Sequence, residues 1–223
     1  MTQREFDKLN NAARRSAARA LGWKQRDYIN WRVEQGYFFC FLDLYPPRLE
    51  VKPLYADDLW WDIFEMPENK SEPMSLRGNG AFSLDGAKLN AYDDCDMAAD
   101  DSSPELLESY WTDTLARATR DMEQFLAEHP DAETYIPEIE VDETRDCTRA
   151  MVRLMALIHN GREDEAVEFI KRVKKKGGRC MYHSGFLVDK DGFDYILDWC
   201  RKRKMQGRLE RLNPFKKNEI KNQ

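Results

Sequence analysis

Near the start of the chain, apolar residues recur at three- and four-residue intervals. Phe6, Leu9, Ala13, Ala17 and Ala20/Leu21 form one stripe, and Arg4, Lys8, Arg14, Arg15 and Arg19 occupy the other faces. This spacing predicts an amphipathic helix from about Thr2 to Leu21, stopped by a left-handed turn at Gly22. The period then falls to two. Ile29, Trp31 and Val33 alternate with polar residues, as on a half-buried strand. Gln35-Gly36 makes a turn, and Tyr37 to Tyr45 is almost continuously apolar, the pattern of a central strand ended by Pro46-Pro47. Leu49 and Val51 alternate again within Arg48 to Tyr55. Strands joined by turns this short pair antiparallel, because a parallel return needs a long crossover.

Further along, Asp57 to Phe64 reads as a short helix with acids in its first turn, where they complement the helix dipole. Residues 65–80 read as loop. Asp85-Gly86 between Ala81–Leu84 and Ala87–Tyr92 is a two-residue hairpin signal. Ser103-Pro104-Glu105 opens a long helix whose buried face is Leu107, Tyr110/Trp111, Leu115, Ala118, Met122 and Phe125/Leu126, ending at His129-Pro130. Beyond it, helices are expected over Arg145–Asn160, Arg162–Lys176 and about Phe193–Lys204. The expected organisation is an α+β domain over 1–129, a linker over 130–142, a basic helical unit over 143–205 and a flexible tail over 206–223. The fold class is α+β: an antiparallel sheet of four to five strands with helices packed on one face, plus a helical C-terminal unit.

Composition adds an uneven charge. Residues 56–143 hold five Lys/Arg against twenty-four Asp/Glu, a net −19, whereas residues 144–223 hold twenty against eleven, a net +9. The N-terminal residues are polar, without the apolar stretch of a secretory signal. Five cysteines, an odd number without a CxxC pair, fit a reducing compartment. A cytoplasmic chain with no membrane segment and no cofactor is expected.

Motifs of catalysis are sparse. Cys180, His183 and Cys200 offer three zinc ligands where a structural site needs four. Asp189-Lys190-Asp191-Gly192 imitates the start of a calcium loop, but Phe193, Asp194 and Cys200 stand where that loop needs an oxygen donor, Gly and Glu. Arg77-Gly78-Asn79-Gly80 lacks the following helix that a phosphate cradle requires.

Charge patterns leave more room. Asp57, Asp58 and Asp62 flank Trp60 and Trp61, and Asp93, Asp94 and Asp96 crowd one loop. These carboxylates form either a solvated acidic surface or a docking surface for a basic protein. The two tryptophans point about 100° apart on a helix, so both are core only if the helix is wedged into the interior; otherwise one is an interface aromatic. In the basic region, Lys171, Lys174, Lys175, Lys176, Arg201 and Arg203 either track the phosphates of a nucleic acid or pair with the acidic middle of the chain.

Two resemblances carry this further. Leu157 to Ile170, with Gly161 at the turn and Ala166 at the helix contact, resembles a single tetratricopeptide-type hairpin. The first ninety-two residues, with the Gly22-Trp23-Lys24 exit from the helix into aromatic strands, resemble uncharacterised bacterial α+β domains found in toxin–immunity neighbourhoods. That resemblance implies a binding role. The expected function is therefore that of a non-enzymatic, immunity- or inhibitor-like interaction protein whose acidic, aromatic surface binds a basic partner. The alternative is nucleic-acid binding through the basic helices, and the third is an enzyme whose site assembles from distant carboxylates.

Overall fold

The computed structural model describes residues 2–43, 46–71, 73–74, 77, 84–93, 103–180 and 191–212. The first helix, α1 (Gln3–Ala20), starts with a capping box: the Thr2 hydroxyl accepts from the Glu5 N–H, and the Glu5 carboxylate accepts from the Thr2 N–H. The strands β1 (Lys24–Arg26), β2 (Ile29–Glu34), β3 (Tyr37–Leu42), β4 (Arg48–Pro53) and β5 (Ala87–Ala91) form one sheet in sequence order. Every neighbouring pair is antiparallel. The α-helices among the described residues are α1, α2 (Leu54–Ile63), α3 (Pro104–Glu128), α4 (Met151–His159), α5 (Glu163–Lys175) and α6 (Gly192–Leu212). The molecule is thus α+β, with a helical C-terminal unit.

The continuous apolar run of β3 is explained by burial on both faces. Tyr37, Phe39 and Phe41 meet Leu49 and Val51 of β4, and α1 and α3 close this core with Ala17, Trp111, Leu115 and Phe125. On the reverse face, Phe38, Cys40 and Leu42 pack with Ile29 and Trp31 of β2. A third core joins α2 to α4, α5 and α6.

Arg14 lies off the apolar stripe of α1 yet does not face solvent. It is buried, donates to Asp43 and to the Asp27 carbonyl, and lies over the Trp111 ring. Of the hairpin expected about Asp85-Gly86, residues 81–83 lie outside the described residues; Ala87–Ala91 pairs with β4. A Cβ on Gly86 would stand 3.0 Å from the Val51 backbone, so the glycine is required by close approach to β4.

The stretch 130–142, expected as a linker, is a packed strap that runs on to Glu143. Ala132 and Tyr135 belong to the sheet core, whereas Ile136, Ile139 and Val141 pack on the helical core. No helix among the described residues is long and apolar enough to cross a membrane.

Candidate partner-binding surface

Of the three acids of α2, Asp57 does not face outward, and Asp58 and Asp62 are ion-paired at the surface. Asp57 is fully buried: one carboxylate oxygen accepts from Lys52 Nζ at 2.8 Å and from the Leu84 N–H at 3.1 Å. Its other oxygen lies 3.4 Å from the Arg77 guanidinium. Lys52 comes from β4, where Arg48, Glu50 and Lys52 occupy the polar positions of the strand. Its ammonium also donates to the carbonyls of Arg77 and Leu84. Each charge of this cluster therefore has partners, which is what keeps buried ions tolerable. Asp58 is 3.1 Å from Arg77, and Asp62 is 2.7 Å from Lys70.

Trp60 and Trp61 are buried at 0% and 1% exposure. The helix is wedged into the interior, so both rings are core and neither is an interface aromatic. Trp60 stacks near Phe64, and the Arg77 guanidinium lies 4.6 Å from the Trp61 ring centroid. Asp57, Trp60 and Trp61 are accordingly withdrawn from the partner surface. Asp93 is exposed but sits with α3, where Arg117 faces it at 3.6 Å and Tyr110 donates to its carbonyl. Asp94 and Asp96 lie outside the described residues.

The basic set is largely neutralised where it stands. Lys171 pairs with Glu168, Lys174 with Asp194, Lys176 with Glu143, Arg201 with Asp198 and Arg203 with Glu163. Lys175 has no ion pair among the described residues. Most of these acids belong to the helical unit itself. The acidic middle contributes Glu143, held by Arg172 and Lys176, and Glu65, 3.3 Å from Lys202. The Arg172 and Lys176 hydrogen bonds hold the Glu143 carboxyl down at about 2.

A different surface emerges along the strap. From Pro137 to Glu143 burial alternates, with Glu138, Glu140 and Asp142 outward and Ile139 and Val141 inward. Between this segment and the α4–α5 hairpin runs an open groove of about 770 Å³, lined by Glu138 to Val141, Glu143, Arg153, Leu157, Glu165, Glu168, Phe169 and Arg172. A second groove, of about 620 Å³, shares Glu138 and continues past Tyr135 and Asp131 to Lys88 and Leu89 on the edge strand β5. Cations of the first groove are already engaged: Arg153 donates to the Pro137 carbonyl and Arg172 to Glu143. Glu138 and Glu140 are exposed and have no ion pair with any described residue.

Burial pushes up the thiols of Cys40, Cys147 and Cys200, away from the thiolate form. No cluster of three or more His, Cys, Asp or Glu among the described residues is placed to hold a metal. His183 and Asp189 lie outside them. Asp191, the next residue of the calcium-like run, accepts from the Phe193 N–H and caps the start of α6. His159 faces Glu133 of the strap at 2.8 Å and stacks on Tyr55.

The acids of this groove fall within the stretch that the sequence reads as a linker. A signal was present: Glu138-Ile139-Glu140-Val141-Asp142 alternates with period two, the pattern of an extended chain with one face buried. Comparison with protein-family models, with curated proteins and with solved structures finds no match for this chain.

Proposed function

We propose that the protein is a non-enzymatic interaction protein, immunity- or inhibitor-like in its mode of action, that binds a basic protein partner. Its contact surface is the groove between the strap and the α4–α5 hairpin. One observation carries this reading: Glu138 and Glu140 stand exposed and without a cation beside a floor that includes Ile139, Val141, Leu157 and Phe169. Apolar floor and charged rim are the two parts of an interface, the first supplying affinity and the second steering approach.

A fluorescein-labelled oligolysine peptide tests the charge half of the proposal by anisotropy. Binding is expected to weaken steeply with salt and to fall in Glu138→Gln/Glu140→Gln, while Asp58→Asn/Asp62→Asn leaves it nearly unchanged. Equal loss in both double variants would show attraction by net charge alone and would remove the groove from consideration. A labelled DNA duplex in the same assay separates the nucleic-acid alternative. Tight binding that is lost on charge reversal at Lys174, Lys175 and Lys176 would favour it instead.

A further inference from the structure

We infer that the groove takes its partner as an extended strand, paired to the backbone of the strap, with Lys or Arg alternating with aliphatic residues. This inference rests on the preceding reading of the groove and adds the mode of binding.

Its basis is the unused hydrogen-bonding capacity of the strap. Residues 138–141 make no backbone–backbone hydrogen bond among the described residues, and their side chains alternate in and out as on a strand. The free stretch is bounded. At one end Pro137 has no N–H, and its carbonyl is taken by Arg153 at 2.8 Å. At the other, the Asp142 carbonyl accepts from the Arg145 N–H. Beyond the turn at 142–145, the chain makes one isolated backbone bridge. Asp146 and Arg179 form a parallel bridge, with the Arg179 N–H on the Arg145 carbonyl at 2.9 Å and the Cys147 N–H on the Arg179 carbonyl at 2.8 Å. An extended chain with unpaired amides and carbonyls is a template for strand addition.

The groove's lining selects the occupant. A strand laid beside 138–141 presents alternate side chains to opposite faces. One set would meet Leu157 and Phe169, and the other would meet the rim of Glu138 and Glu140. Aliphatic residues suit the first and Lys or Arg the second. Of the groove's cations, Arg172 is paired with Glu143, while Arg153 donates to the neutral Pro137 carbonyl at the end of the free stretch.

The test uses the whole protein and a labelled peptide of about nine residues alternating Lys and Val, long enough to span the free edge. Two derivatives carry N-methyl groups on alternate residues, one on the odd positions and one on the even. In a strand, successive N–H groups point to opposite edges, so only one set can face the strap. The expected result is asymmetric: one methylated peptide loses at least about ten-fold in affinity and the other keeps nearly all of it. Equal binding by the parent and both derivatives would overturn backbone pairing and leave the acidic groove standing. A parent peptide that does not bind, or that binds Glu138→Gln/Glu140→Gln equally well, would overturn the groove itself.

Discussion

The first turn of α2 and the strap over 131–143 are both rich in carboxylates, yet the fold treats them in opposite ways. Asp57 points inward onto Lys52 and Arg77, and Asp58 shares Arg77. Glu138 and Glu140 point outward, and no described cation answers them. The difference lies in the neighbours. Asp57 follows five residues after a strand lysine that folds back onto it, whereas the strap directs apolar residues such as Ile136, Ile139 and Val141 inward and contains no Lys or Arg. Formal charge along a sequence therefore does not give surface potential; the cation brought in by the adjacent element decides it.

The largest effect expected from this contrast is on stability. Asp57→Ala leaves Lys52 buried without its carboxylate and removes one of Arg77's, and is expected to cost about 3–5 kcal/mol in denaturant unfolding. A cost below about 1 kcal/mol would show that water reaches the cluster, and the two acidic regions would then differ less than described.

Next comes the anchoring of the strap. A Cβ on Gly178 would lie 2.3 Å from the Glu143 carbonyl oxygen and 2.7 Å from Val173. Gly178→Ala is expected to destabilise by about 1–3 kcal/mol, and also to weaken binding of the Lys-Val peptide, because the end of the strap must shift. Unchanged peptide affinity would separate the groove from this anchor.

A smaller effect follows from pH. Glu143 has its folded-state pKa lowered to about 2 from an ordinary value of 4.5. A lowered acid contributes stability above its unfolded pKa and loses it as pH falls through the folded one. The wild type should therefore lose stability between about pH 4.5 and 2, and Glu143→Gln should flatten part of that limb in pH-dependent unfolding. A parallel slope in the two proteins would mean that Arg172 and Lys176 do not hold the carboxylate in solution. The smallest expected change is in Glu138→Gln/Glu140→Gln, whose stability should stay within about 0.5 kcal/mol of the wild type. Binding should fall all the same, and circular dichroism with unfolding curves will separate the two effects.

Much of the fold was legible because its elements obey local rules. The stripe from Phe6 to Leu21, the double-sided apolar run of β3 and the Ser103-Pro104 start of α3 each announce themselves within a few residues. The candidate surface is harder to read, since it depends on what meets what across long separations. Nothing local in Asp57 reveals that Arg77, twenty residues on, will neutralise it. The wedge of Trp60 and Trp61 was named as a condition for both to be buried, but only the packing of α4 and α6 around α2 fulfils it. Conversely, Pro130, Pro137 and dense acids made the strap resemble a linker, although its inward Ile136, Ile139 and Val141 bind it to the helical core.

The strap's attachment at both ends has a kinetic consequence. Ala132 sits on the sheet side against Gly36, and Glu143 is clasped by Arg172, Lys176 and Gly178 on the helical side. A tether held at two points cannot coil, so the conformational freedom of its middle is surrendered during folding. An incoming chain would encounter a rail that is already straight, and only the newcomer would need to be ordered on arrival.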